Sequence, residues 1–142
     1  HDSATPSGSA LACSFLQRLH LHDDDPRWLA RVESTLGAMS GQLGQNPFGT
    51  GHLLGVLDAY HRGFTEVVVG GQGEARADLE RVARTAPGVH RVVLAIEHLP
   101  PSHPAAGGRQ AATPTAWVCR GRACSLPVHD AVALRDLLAT AP

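Results

Sequence analysis

The hydrophobic period of this chain changes once, near residue 63, and that change limits the fold more than any single residue does. Before it, apolar side chains recur every three or four residues. After it, they come as short β-branched runs bounded by glycine. Ser7 or Thr5 is placed to cap a first helix running to about Leu21, with Leu11, Phe15, Leu16 and Leu19 along one side. Asp23-Asp24-Asp25-Pro26 then reads as a loop that ends in an N-cap and a proline at the first helical position. In the second helix Trp28, Leu29, Val32, Leu36, Met39 and Leu43 form a stripe. At about 1.5–3 kcal/mol per buried large side chain, that stripe must face a core. Gly37, Gly41 and Gly44 lower its intrinsic propensity, so packing has to hold it. A third helix is expected over 51–62, with Leu53, Leu54, Val56, Leu57 and Tyr60 on its apolar face. Residues 1–62 therefore read as a helical segment.

Residues 63–142 read as a small α/β domain. Glu66-Val67-Val68-Val69-Gly70 and Arg91-Val92-Val93-Leu94-Ala95-Ile96 are expected strands, with a helix over 75–85 between them. Continuous apolar strands joined by a helix imply a βαβ unit with parallel strands buried on both faces. Residues 115–119 supply a third strand, and Asp130 caps a closing helix through Val132, Leu134, Leu137 and Leu138. The fold class expected is α/β, with a three-stranded, mainly parallel sheet after the helices. Residues 100–114, rich in proline, glycine and alanine, read as a mobile surface connection.

Composition excludes several classes of function. A chain of 142 residues can bury about 68% of its unfolded surface, enough for one compact domain or two small ones. The net charge is −1 and no apolar run approaches the ~20 residues that span a bilayer, so no membrane partner is expected. Residues 1–62 carry six acids and four arginines and the remainder seven acids and eight arginines, without the basic excess of a nucleic-acid binder. All 12 basic residues are arginine, so Schiff-base lysines and a P-loop lysine are ruled out within these residues. Three cysteines and no basic-then-apolar leader favour a cytoplasmic location. A start at His1 suggests a piece of something longer.

Several constellations have a chemical and a structural reading. Gly70-Gly71-Gln72-Gly73 sits between a strand and a helix, where a phosphate would meet free backbone N–H groups. The dinucleotide pattern would need glycine at Arg76, however, and only Glu97 could imitate the ribose-binding acid, so a tight connection is expected and no cofactor is assigned. His20 and His22 beside Asp23, Asp24 and Asp25 read as a solvated turn rather than a metal cluster. Cys13 lies inside the first helix and reads as core. Cys119 and Cys124 leave three readings open. They could form a reversible redox pair, or two ligands of a zinc site with His129. The default is two thiols packed as small hydrophobes. Arg120 and Arg122 between them favour thiolate over thiol. No metal is assigned.

Taken together, Pro6-Ser7-Gly8, Leu16-Gln17-Arg18-Leu19, Asp25-Pro26-Arg27-Trp28, the 66–70 strand, and above all residues 115–119 with Cys124-Ser125-Leu126-Pro127-Val128 resemble a known family. They are similar to the carboxy-terminal end of YyaL-type, spermatogenesis-associated-like thioredoxin-domain-containing proteins. The resemblance implies that residues 1–62 are the last helices of an (α/α)6 toroid, of the kind found in N-acylglucosamine 2-epimerases and six-hairpin glycosidases. Residues 63–142 would be an appended α/β domain, and the rest of the parent chain its partner. Asp2, Ser7 and Gly8 carry over as cavity lining, where a sugar or other small molecule could bind. Ser9 stands where the family usually has asparagine. The family's thioredoxin-domain cysteine motif has no counterpart in these residues. The function implied is that of a non-catalytic structural portion. The alternatives are a thiol–disulfide element built on Cys119 and Cys124, or part of a carbohydrate-active toroid.

Overall fold

A computed structural model describes residues 5–106 and 111–140. The chain divides into two compact units, residues 1–63 and 64–142.

The first unit contains three helices: α1 (Gly8–Asp23), α2 (Pro26–Gln45) and α3 (Gly51–Arg62), with a 3-10 turn at Phe48–Thr50. Ser7 caps α1, its Oγ accepting from Ala10 N at 3.4 Å. Asp25 caps α2, accepting from Arg27 N at 2.9 Å, and Pro26 opens the helix as its sequence context implies. The core is built from Ala10, Cys13, Val32, Leu36, Leu53 and Val56, flanked by Leu16, Met39, Leu43, Leu57 and Tyr60. Gln17 is buried with them and donates from Nε2 to Val56 O at 2.9 Å, tying α1 to α3. This corrects the expected face of α1. Leu11 and Phe15 are 50% and 62% exposed. The small side chains of Ala10 and Cys13, with Gln17 one turn on, instead let α1 approach its neighbours closely.

The second unit is α/β. It contains β1 (Thr65–Gly70), α4 (Glu74–Thr85), β2 (Arg91–Ala95), a 3-10 turn at Ile96–His98, β3 (Thr115–Arg120), β4 (Ala123–Cys124) and α5 (Ala131–Ala139). The sheet order is β2-β1-β3-β4. β1 and β2 pair in parallel around α4, while β3 runs antiparallel to β1 and β4 antiparallel to β3. The sheet is thus four-stranded and mixed, rather than three-stranded and mainly parallel. A third parallel strand would have needed a crossover to the far end of the sheet. The chain instead re-enters the sheet at the end where β2 leaves it, which makes β3 antiparallel.

One sheet face, formed by Val67, Val69, Val93, Ala116 and Val118, packs under Leu79, Val82 and Ala83 of α4 and Leu134 and Leu138 of α5. Asp130 fixes the start of α5, its Oδ1 accepting from Val132 N at 3.0 Å and Ala133 N at 2.9 Å. The other face carries Glu66, Val68, Val92, Leu94, Thr115, Trp117 and Cys119, all buried. β2 shows alternating burial, as an edge strand does, and not the continuous burial expected of it. Residues 100–106 are also more than a surface connection, because His103 and Ala105 in them are buried.

Candidate functional site

The β3–β4 hairpin turns over Gly121 and Arg122. Gly121 sits at φ 56° and Arg122 has no positive φ, the II′ arrangement that matches strand twist in two-residue hairpins. This register places Cys119 directly opposite Cys124. The two are joined by a disulfide with an S–S distance of 2.10 Å and a Cα–Cα distance of 4.0 Å. The default reading of two free thiols is therefore corrected: the tight glycine turn brings them face to face. Closing so short a loop constrains the unfolded chain by only about 2 kcal/mol. Cys119 is fully buried while Cys124 is half-buried, and Arg120 and Arg122 beside them are exposed.

Beyond Cys124 the chain keeps to β3. Ser125 N donates to Val118 O at 2.9 Å and Val118 N to Ser125 Oγ at 3.1 Å. After the proline, Ala116 and Val128 exchange backbone hydrogen bonds of 2.8 and 2.9 Å. His129 lies at the opposite end of β3, its Nδ1 3.1 Å from Thr115 Oγ1 and 3.3 Å from Pro114 O. It is not brought to the cysteines. Among the described residues, no cluster of three or more His, Cys, Asp or Glu side chains is placed to hold a metal ion.

Sequence reasoning missed the groups next to the disulfide. Glu66 on β1 is the register partner of Cys119 on β3, so their side chains share a face about 4.5–5.5 Å apart at Cβ. Glu66 Oε2 lies 2.7 Å from His103 Nε2, with only 7% and 6% of the two side chains exposed. Ala105 N donates to the other ring nitrogen, Nδ1, at 3.1 Å. The one signal in the sequence was an acid at the start of an otherwise apolar β-branched run.

The other motifs serve structure. Arg76 folds back over the glycine turn, donating to Gly71 O at 2.9 Å and pairing with Glu80 at 2.9 Å and Glu97 at 2.8 Å. Glu97 and then Glu80 hold the Arg76 guanidinium above its ordinary pKa. A backbone hydrogen bond, with help from Arg76, holds the Glu97 carboxyl below its own. Gly71, at φ 91°, has no room for a Cβ, which would meet the Pro114 backbone at 2.6 Å. The turn is a tight connection packed under the entry to β3. Asp23 accepts from Trp28 Nε1 at 2.7 Å, and His20 Nδ1 lies 3.0 Å from Asp25 O, so the His/Asp cluster organises the α1–α2 turn. Arg27 holds the Asp25 carboxyl below its usual range. Cys13 is a buried free thiol.

A cleft of 360 Å³ in the first unit is lined by Leu36, Leu43 and Leu57, with Glu33, Tyr60 and His61 among its polar groups. Ser7 acts as the cap of α1 and Gly8 is its first residue. Asp2 lies outside the described residues.

No helix of the described residues is long and apolar enough to cross a membrane. No family model and no solved structure matches the chain. It is 25% identical over 147 residues to human spermatogenesis-associated protein 20, an alignment covering 96% of this chain and 19% of that protein. The chain thus spans about a fifth of the curated relative it matches.

Proposed function

We propose that this chain is a non-catalytic structural portion of a longer thioredoxin-domain-containing protein, and that its cystine is a reversible thiol–disulfide element serving that protein. The observation that carries the redox part is the asymmetry of the disulfide. It ties an edge strand to the sheet with one cysteine sealed in the interior and the other half-buried at the hairpin. Of the two cysteines only Cys124 has exposed surface from which a thiolate could approach, and exposed Arg120 and Arg122 supply positive charge that favours thiolates there. The structural part is supported by Leu11 and Phe15, large apolar side chains left exposed on α1, as expected of a helix that belongs to a larger assembly. Similarity to about a fifth of a spermatogenesis-associated protein, and the resemblance of the Cys124-Ser125-Leu126-Pro127 segment to the thioredoxin-domain family, point the same way.

The test is a redox titration of the full chain in glutathione buffers, with alkylation, intact mass and peptide mapping. A midpoint of about −180 to −260 mV for the Cys119–Cys124 bond is expected of an exchangeable element. A midpoint below about −300 mV would make the bond a structural staple and remove the redox part of the reading.

A further inference from the structure

We infer that the Cys119–Cys124 bond is a latch on the sheet edge: its reduction releases residues 121–127 from β3 while the rest of the second unit stays folded. This deepens, and rests on, the reversible-disulfide reading above.

The two sides of the bond are held unequally. Cys119 is fully buried in β3, which pairs with β1 along six residues. Cys124 is half-buried in β4, which pairs with β3 at only two positions. Around it Gly121, Arg122, Ala123, Leu126 and Pro127 are all exposed, Leu126 by 84%, so this segment brings little apolar surface into a core. A pairing so short is marginal by itself.

The ladder is also interrupted beyond Cys124. Cys119 pairs with Cys124 and Ala116 with Val128, so three steps along β3 are matched by four on the other side, a bulge of one residue. Within it Ser125 N donates to Val118 O at 2.9 Å, but Val118 N donates to Ser125 Oγ at 3.1 Å in place of a backbone carbonyl. Ser125 Oγ donates in turn to Leu126 O at 2.8 Å, and Pro127 has no N–H to give. Paired backbone bonds resume at Val128, which fixes the chain again. The segment is thus tied at 128 by the backbone and at 124 by a covalent bond. With that bond gone, water can take the place of the few hydrogen bonds between, and the segment opens locally without disturbing the core.

Reduction by a dithiol balances as follows. One thiolate of the dithiol attacks Cys124 Sγ, the bond to Cys119 breaks, and its electron pair leaves on Cys119 Sγ. The second thiol of the dithiol then gives up its proton and attacks the dithiol sulfur held in the mixed disulfide, and the pair of that bond leaves on Cys124. Two electrons have passed to the cystine, the dithiol has become a disulfide, and its two protons end on Cys119 and Cys124. Cys119 then stays in the interior as a small buried thiol, and Cys124 moves out with the hairpin.

The experiment compares the full chain as the disulfide with the same chain reduced by a phosphine, under sparse trypsin, with cuts mapped by mass after complete reduction. Trypsin cuts after arginine, and Arg122 lies in the turn of the hairpin. At low protease the rate follows the population of the open form. The reduced chain should be cut after Arg122 at least about tenfold faster, towards the roughly thirtyfold to which the lost loop constraint corresponds. Amide exchange should rise at Val118 and Ser125 and stay slow at Trp117, whose backbone groups turn the other way, to β1. Cys124→Ser should be cut at the reduced rate without any reductant. Equal cleavage after Arg122 in the two native forms would overturn the latch, and that comparison needs no variant to fold. So would a reduced chain that loses protection at Trp117 as well, since the bond would then be holding the whole sheet. A bond too reducing for the glutathione range, whose loss to the phosphine still frees the hairpin, would support the latch and remove only the reversible reading it rests on. Reversible exchange within that range, with no rise in cleavage, would remove the latch and leave that reading standing.

Discussion

At the scale of single residues, the Glu66–His103 pair is a buried polar contact in the second unit and therefore informative to break. Glu66, with 7% of its side chain exposed, lies 2.7 Å from His103 Nε2 through its Oε2, and a buried polar side chain needs such partners. His103→Ala breaks this buried pair, and it also strips Ala105 N of its acceptor. The expected loss is about 3 kcal/mol. Urea unfolding followed by Trp117, which lies on the same sheet face, reads it directly. Replacing both partners, Glu66→Val with His103→Leu, should recover much of the loss, because an apolar pair needs no partner. If the double variant is no more stable than His103→Ala, the cost lies in packing and not in the broken pair.

At the scale of elements, much was legible and the reasons are local. Asp25 before Pro26 and Asp130 before an apolar run carry their chemistry in adjacent residues, and both cap the helices they precede. Asp130→Ala removes the acceptor of two α5 N–H groups, and it should cost about 0.5–2 kcal/mol, measured by the same Trp117 unfolding. A loss confined to a few tenths would mean that packing of Leu134 and Leu138 alone sets where α5 begins. The apolar period likewise exposed Val32 and Leu36 as core. The remainder depended on contacts between distant residues. Strand direction for β3 was set by the end of the sheet at which the chain re-enters it, and no periodicity encodes that. The buried side of α1 went to Ala10, Cys13 and Gln17 because close helix approach and the bond to Val56 O outweighed the larger Leu11 and Phe15. Glu66 and His103 lie 37 residues apart, so the pair beside the disulfide had no local signature. Cys119 and Cys124 were visible as candidates, but only the Gly121 turn decided that they meet.

At the scale of the whole molecule, the two compact units differ in what each can sustain. Residues 64–142 close a sheet whose faces are both buried, carry α4 and α5 over one of them, and add a covalent bond across the edge. Residues 1–63 rely on three helices around a core of six buried side chains, two of them only alanine and cysteine. Its longest helix contains Gly37, Gly41 and Gly44, each costing about 1 kcal/mol of propensity relative to alanine. Helical pieces this short lie in the range, below roughly 70–80 residues, where one core supplies little net stability without a staple. The expected outcome is that residues 64–142, produced alone, unfold in one cooperative urea transition reported by Trp117 and keep the Cys119–Cys124 bond. Residues 1–63 alone, reported by Trp28, should show weak helicity and a broad transition. Phe15→Glu in the full chain, a change on an exposed apolar position, should then leave the Trp28 transition nearly unmoved, since nothing of the observed core is lost. A sharp, fully helical transition for residues 1–63 would show that their core suffices alone, and would weaken the argument that α1 exposes Leu11 and Phe15 because the unit belongs to a larger assembly.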